Sequence, residues 1–293
     1  MRSGWRRTTT GVLVVLASLV TLATPAHAGS ERGRPVWYLS LGDSLSVGVQ
    51  PTGGVNHPTT NGYSDQLYQA LKSTSPKLQM KKLGCAITET TVTMLRGKGA
   101  CQDQYKGRSQ LADAVAFLRE HRGSMALVTI DIGANDLEPC GSLAGIDEEC
   151  VKERFIDVAT NLPPILAALR LAAGPHVTIV GMNYYDPFLA AYLIPDIGPD
   201  IAAAANETLA SFNGLLGAIY RFFRIPVADV ATAFHTDVVE PLVPIQFPNG
   251  SVVEVPLNVA TICGLTYMCL EQNIHATTEG YALITQAFLE VLP

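Results

Sequence analysis

Val36-Trp37-Tyr38-Leu39-Ser40-Leu41 is an apolar run rich in strand-forming residues, and Gly42-Asp43-Ser44-Leu45-Ser46 follows it directly. The first six residues read as a strand, and the next five as a tight turn that presents a hydroxyl. Working outward, a helix is expected over residues 62–71, a weaker strand over 78–83, and a helix over 111–121 with Leu111, Val115 and Leu118 on one face. Residues 125–132 form an unbroken apolar run of strand length, as in a parallel sheet covered on both faces. Val151, Phe155, Val158, Leu162, Ile165 and Leu169 recur at helical spacing, but Pro163-Pro164 interrupts them, so a kink or two helices meeting end to end is expected. A fourth strand at 176–182, a helix at 202–222, a short fifth strand at 226–230 and a helix at 277–292 complete the pattern. Strand and helix alternating this often predict an α/β fold with a doubly wound parallel sheet of about five strands.

Two segments break the alternation. Residues 186–200 are rich in proline and aromatics. Residues 234–263 are long and apolar, with Pro248-Asn249-Gly250 as a hairpin turn between 243–247 and 252–257. Such a loop either serves binding or is a plain edge hairpin.

Only 16% of the 293 residues are charged and 48% are hydrophobic, which argues against disorder and coiled coil. The formal net charge is −6 and no basic run follows Arg7, so a nucleic-acid partner is not expected. Arg2, Arg6 and Arg7, the apolar stretch 11–22 and Ala26-His27-Ala28 have the layout of a signal peptide over residues 1–28. Its apolar run is shorter than the roughly 18 residues of a spanning helix, although an uncleaved anchor is the alternative. Arg6-Arg7 leaves a twin-arginine export route open. Residues 29–293 are then expected to form a single exported, extracellular domain without a stable membrane anchor, since no linker or internal repeat divides them.

Cys85, Cys101, Cys140, Cys150, Cys263 and Cys269 suit an oxidising compartment. Six cysteines permit 15 connectivities. The pairing of sequence neighbours, 85–101, 140–150 and 263–269, is the expected one. Zinc ligation is disfavoured because no C-x-x-C occurs.

Ligands of an open parallel sheet bind beyond the carboxyl ends of its strands. Just past the expected strands lie Ser44, Gly84 and Gly133-Ala134-Asn135-Asp136, and Asn273-Ile274-His275 precedes the last helix. A hydroxyl, glycine amides, a side-chain amide and an imidazole are the parts of an acyl-transfer site. Ser44 is the candidate nucleophile and His275 the candidate base, with the Ser44 and Gly84 amides and the Asn135 side chain as oxyanion donors. His235, after the fifth strand, is a rival base. Asp43 is read as a brace for the turn and Asp136 as a cap. Tyr184-Tyr185-Asp186-Pro187 is read either as pocket lining or as core.

Gly42-Asp43-Ser44-Leu45, Gly84, Gly133-x-Asn135-Asp136 and His275 together resemble the four ordered blocks of the SGNH (GDSL) hydrolase family. The resemblance runs from about residue 37 to residue 292. It implies a flavodoxin-like three-layer α/β/α fold and carboxylic ester hydrolysis by an acyl-enzyme, with neither cofactor nor metal. The local cysteine pairs look similar to those of secreted bacterial members, particularly actinobacterial lipases and esterases. The expected substrate is a small-molecule or lipid ester and the expected state a monomer. A carbohydrate deacetylase or acyltransferase with the same site is the enzymatic alternative, and a non-catalytic binding protein the alternative of another class. The apolar 234–263 segment favours an acyl-chain substrate.

One position departs from the family pattern. The acid expected three residues before the histidine is Gln272. Candidates to orient His275 are the Gln272 oxygen or a backbone carbonyl within 270–273, ahead of Glu271.

Overall fold

The computed structural model of the protein describes residues 35–142 and 145–293; the signal peptide expected over residues 1–28 lies outside the described residues. The five expected strands form one sheet: β1 (Val36–Gly42), β2 (Leu78–Lys82), β3 (Met125–Asp131), β4 (Thr178–Met182) and β5 (Val227–Ala228). All neighbours are parallel, in the order β2-β1-β3-β4-β5. This is the flavodoxin-like order, whose reversal lies between β1 and β3. There Gly42 pairs with Asp131, so the two carboxyl ends stand side by side. Leu39 and Leu41 of β1 and Val128 and Ile130 of β3 are buried, which accounts for the apolar runs in the sequence.

Helices α1 (Tyr63–Thr74), α2 (Thr91–Arg96), α3 (Gln110–Glu120), α4 (Glu148–Ala173), α5 (Gly198–Phe222) and α7 (Thr278–Val291) flank the sheet, while α6 (Leu257–Leu265) packs on the hairpin that precedes it. α1 packs with α7, where Tyr63 stacks on Phe288 at 4.8 Å, while α2, α3, α4 and α5 pack together. Close seating of α5 on β4 requires Gly181, because a Cβ there would stand 2.4 Å from the Tyr220 ring. α7 begins as expected, with the Thr277 side chain accepting from the Gly280 N–H.

α4 runs continuously through Pro163 and Pro164 rather than splitting into two helices. The carbonyls deprived of donors belong to Ala159 and Thr160, both on the exposed face, where a lost helix bond costs less than it would in the core. Val158, Leu162, Ile165, Leu166 and Leu169 hold the other face in the core. β5 is only two residues long because Asp229 turns the chain into a helical turn at Val230–Ala233, capping it through the Thr232 N–H. The 234–263 segment contains the expected hairpin, Leu242–Gln246 against Val252–Pro256, and then α6. A second hairpin, Gln50–Thr52 against Val55–His57, follows β1. Disulfides join Cys85 to Cys101, Cys140 to Cys150 and Cys263 to Cys269.

Candidate active site

The end of β1 is held by polar contacts. Gln110, buried at the start of α3, accepts from the Gly42 N–H at 2.6 Å and donates to the Gly42 carbonyl at 2.9 Å. Gly42 has φ +139° and could not carry a Cβ, which would lie 2.2 Å from the Asp131 carbonyl. The turn beyond it closes on itself: Asp43 Oδ1 accepts from the Leu45 N–H at 2.9 Å, and Ser46 Oγ donates to the Asp43 carbonyl at 2.6 Å. Asp43 is thus a brace of the turn, as expected. Ser44 is held between these contacts, buried but bordering a cavity.

His275 arrives from the opposite end of the chain. Tyr185 donates its hydroxyl to the Ile274 carbonyl at 2.7 Å, and the Tyr267 N–H donates to the His275 carbonyl at 3.0 Å. These bonds fix the backbone on both sides of the imidazole. His275 Nε2 lies 2.9 Å from Ser44 Oγ. His235 is exposed on a turn.

The group facing His275 Nδ1 is the side chain of Asn273. Its Oδ1 stands 2.7 Å from Nδ1 and also accepts from the His275 backbone N–H at 3.1 Å. Neither Gln272, Glu271 nor a backbone carbonyl takes that place, which corrects the orienter expected from sequence. Gln272 ends the short helix Met268–Glu271 in the left-handed conformation, φ 52°, and both it and Glu271 are exposed. The chain thereby re-enters toward the site at residue 273. Because Oδ1 accepts two N–H donors, Nδ1 carries the imidazole proton and Nε2 is free to accept. Asn273 Nδ2 in turn donates to Asn56 Oδ1 at 2.7 Å.

Burial pushes His275 down to about 4. The acids around the turn shift the other way. Burial raises Asp43 to about 6, and burial together with the neighbouring Asp43 raises Asp131 well above the carboxylate range. Tyr63 donates its hydroxyl to Asp131. Asp136, raised to about 6 by burial, accepts from the Thr91 N–H and hydroxyl at 2.8 and 2.7 Å and so caps α2.

Gly84 and Asn135 flank the serine turn. Cys85 N–H donates to the Gly42 carbonyl at 3.1 Å, which brings Gly84 beside the turn. A Cβ on Gly84 would lie 1.8 Å from Ser46 Oγ, so only glycine fits. The Asn135 side chain donates one proton to the Glu89 carbonyl at 3.1 Å, leaving the second. Among the described residues, neither the Ser44 nor the Gly84 N–H donates to a partner.

A cavity of about 90 Å³ opens beside Ser44 and Asn135, with apolar walls that include Leu45, Leu137, Ile146, Tyr184, Phe188 and Leu209. No residue of 234–263 lines it, so of the two readings of that segment the edge hairpin is the one that agrees with this cavity. The walls come instead from α5, the loop after β4 and the loop closed by Cys140–Cys150. Tyr184 and Tyr185 prove to be both lining and core. Among the described residues, no group of three His, Cys, Asp or Glu is arranged to hold a metal ion.

A buried hydroxyl on an imidazole acceptor, beside unpaired N–H donors and an apolar cavity, has the groups needed for acyl transfer. Comparison with known proteins bears on the same chemistry. No curated protein matches the chain. Among solved structures it is similar to an extracellular lipase from Streptomyces rimosus, with TM-score 0.54 and 17% identity over 88% of this chain and 100% of that one. It is also similar to the lipase Lip_vut3 from a goat rumen metagenome, with TM-score 0.53 and 17% identity over 87% of this chain and 96% of that one. A third is Axe2, an acetylxylan esterase from Geobacillus stearothermophilus, with TM-score 0.50 and 17% identity over 88% of this chain and 94% of that one. At such identities these likenesses speak for the fold. Residues 40–283 match the model of the GDSL-like lipase/acylhydrolase family. The chain belongs to that family and is a carboxylic ester hydrolase.

Proposed function

We propose that this protein is a secreted lipase or esterase in which Ser44 is the nucleophile and His275 the base. Ser44 Oγ attacks the ester carbonyl carbon while its proton passes to His275 Nε2. The carbonyl oxygen becomes an oxyanion received by the Ser44 and Gly84 N–H groups and the second proton of the Asn135 amide. Collapse expels the alcohol, which takes the proton from Nε2, and leaves an acyl-enzyme on Ser44. Water then attacks that ester with His275 again as base, releasing the acid and the serine. Asn273, a neutral amide, holds the Nδ1–H tautomer that this cycle needs. The observation that carries the reading is the 2.9 Å approach of Ser44 Oγ to an Nε2 whose ring is held from its other nitrogen.

The cavity supports an acyl chain rather than an acetylated sugar as the substrate. His275 hands its proton to the leaving alcohol, so the alcohol lies on the imidazole side. Ser44 and Asn135 are among the walls of the cavity, and His275 is not. It therefore suits the acyl group, and its apolar walls suit hydrocarbon. Three disulfides support an extracellular site of action. The expected test is a panel run beside Ser44→Ala. Nitrophenyl butyrate and octanoate should exceed nitrophenyl acetate in kcat/KM by about tenfold or more, each buried CH₂ contributing up to about 0.8 kcal/mol. Acetylated xylan should be a poor substrate. Preference for acetylated xylan over every longer acyl ester would favour the deacetylase reading.

The depressed basicity of His275 sets an expected pH profile. The imidazole works as a base only when neutral, and a lowered pKa keeps it neutral as the pH falls. kcat/KM is expected to hold from pH 7 down to about 5 and to decline as the pH falls through about 4. A pH–rate profile, with return to neutral pH as the control for unfolding, checks this. An acid limb near the ordinary imidazole value of about 6.5 would show that the base is not desolvated.

A further inference from the structure

We infer that the hairpin Gln50–Thr52/Val55–His57 is the positioning element for His275, with Gln50 and Asn56 holding segment 273–276 at its two ends. The inference rests on His275 being the base, and extends it to residues that touch neither substrate nor imidazole.

Gln50 is buried and its amide is fully engaged. Nε2 donates to the Ala276 carbonyl at 3.2 Å and to Thr278 Oγ1 at 3.4 Å, while Oε1 accepts from Asn61 Nδ2 at 3.0 Å. It thus fastens the hairpin to the residue that follows His275. Asn56, on the other strand, meets the residue two before His275, accepting from Asn273 Nδ2 at 2.7 Å.

The His275 backbone N–H and the Asn56 oxygen together select one of the two orientations of the Asn273 amide. As placed, Asn273 Oδ1 accepts from both the N–H and Nδ1–H of His275. Turned over, the amide would set NH₂ against those donors and its oxygen against Asn56 Oδ1. The imidazole could then pair with Asn273 only as the Nε2–H tautomer, whose Nε2 cannot take the Ser44 proton. A carboxylate orienter has two equivalent oxygens and a charge, so it needs no such selection. Asn273 has neither, and the acceptor at its far end does part of that work. Groups that orient a ligating or reacting side chain from behind are commonly worth 10- to 100-fold in function. Asn56 is exposed, so water competes for its contact, and the low end of that range applies.

The experiment compares Asn56→Ala and Asn56→Asp with the unsubstituted protein, using nitrophenyl octanoate turnover and ¹⁵N chemical shifts of the His275 ring. Asn56→Ala should lower kcat by about tenfold with KM unchanged within about twofold, and the ring shifts should show a mixture of tautomers. Asn56→Asp keeps an acceptor toward Asn273 Nδ2. It should restore kcat to within about threefold and restore the Nδ1–H tautomer. Unchanged kcat in Asn56→Ala, or Asn56→Asp as slow as Asn56→Ala, would overturn the inference. Ser44→Ala and His275→Ala serve as references. If they retain turnover, the assignment of the base fails and the hairpin inference falls with it. If they are inactive while Asn56→Ala is not impaired, the hairpin inference alone fails.

Discussion

His275→Ala is expected to lower kcat/KM for a nitrophenyl ester by about 10⁴- to 10⁶-fold, the scale on which serine hydrolases lose activity when the base is removed. The reason is local. Nε2 is the acceptor placed at Ser44 Oγ, and a serine hydroxyl without a base is a weak nucleophile at neutral pH. Asp43 cannot substitute, because its carboxyl is engaged with the Leu45 N–H and neighbours Asp131. The fold should survive. Among the described residues the imidazole hydrogen-bonds to Ser44 and Asn273, and the backbone around residue 275 is held by Tyr185, Tyr267 and Gln50. Initial rates together with the near-UV circular dichroism of the variant check both halves. A folded variant retaining more than about a tenth of the activity would contradict the assignment of the base.

The second large effect is expected at Asn135. Its amide has one proton on the Glu89 carbonyl and one to offer the oxyanion. The contact strengthens as charge develops, so Asn135→Ala should lower kcat by 10²- to 10³-fold, about 2.7–4 kcal/mol, with KM little changed. Asn135→Asp should be at least as slow, since it places negative charge where negative charge forms. A loss confined to KM would mean that Asn135 binds ground-state substrate. Because Asn135→Ala also leaves the Glu89 carbonyl without that donor, melting temperatures belong beside the rates.

The centre of the sheet was legible because β1 and β3 are apolar runs with Gly42 and Gly133 at their carboxyl ends, where Ser44 and Asn135 lie. Reading past strand ends therefore brings residues 44, 84 and 135 into view, while His275 shows as the imidazole just before the last helix. What orients His275 was not legible. Asn273 reaches Nδ1 only because Gln272 takes a left-handed turn, and it is held by Asn56, which is 217 positions away. Gln110 was equally hidden, a polar residue opening an ordinary helix whose burial against Gly42 no periodicity records. The hairpin of three-residue strands offered too few residues for alternation, although Gly53-Gly54, both at positive φ, carries the signal of its turn. Of the segments read as possible binding elements, residues 184–187 do line the cavity, whereas 234–263 does not, and its apolar composition did not imply burial, since Leu242, Val252 and Val253 are exposed. Residues 234–263 pack as a hairpin and α6, while the walls beside Ser44 come from α5 and the loops after β3 and β4.

Covalent capture of the nucleophile tests the central claim most directly. A fluorophosphonate probe incubated with the intact protein and located by peptide mass spectrometry should modify a single residue, Ser44, in one-to-one stoichiometry. Labelling should vanish in Ser44→Ala and slow sharply in His275→Ala. A folded, ester-hydrolysing protein labelled at another residue, or one whose turnover persists in Ser44→Ala, would contradict the account.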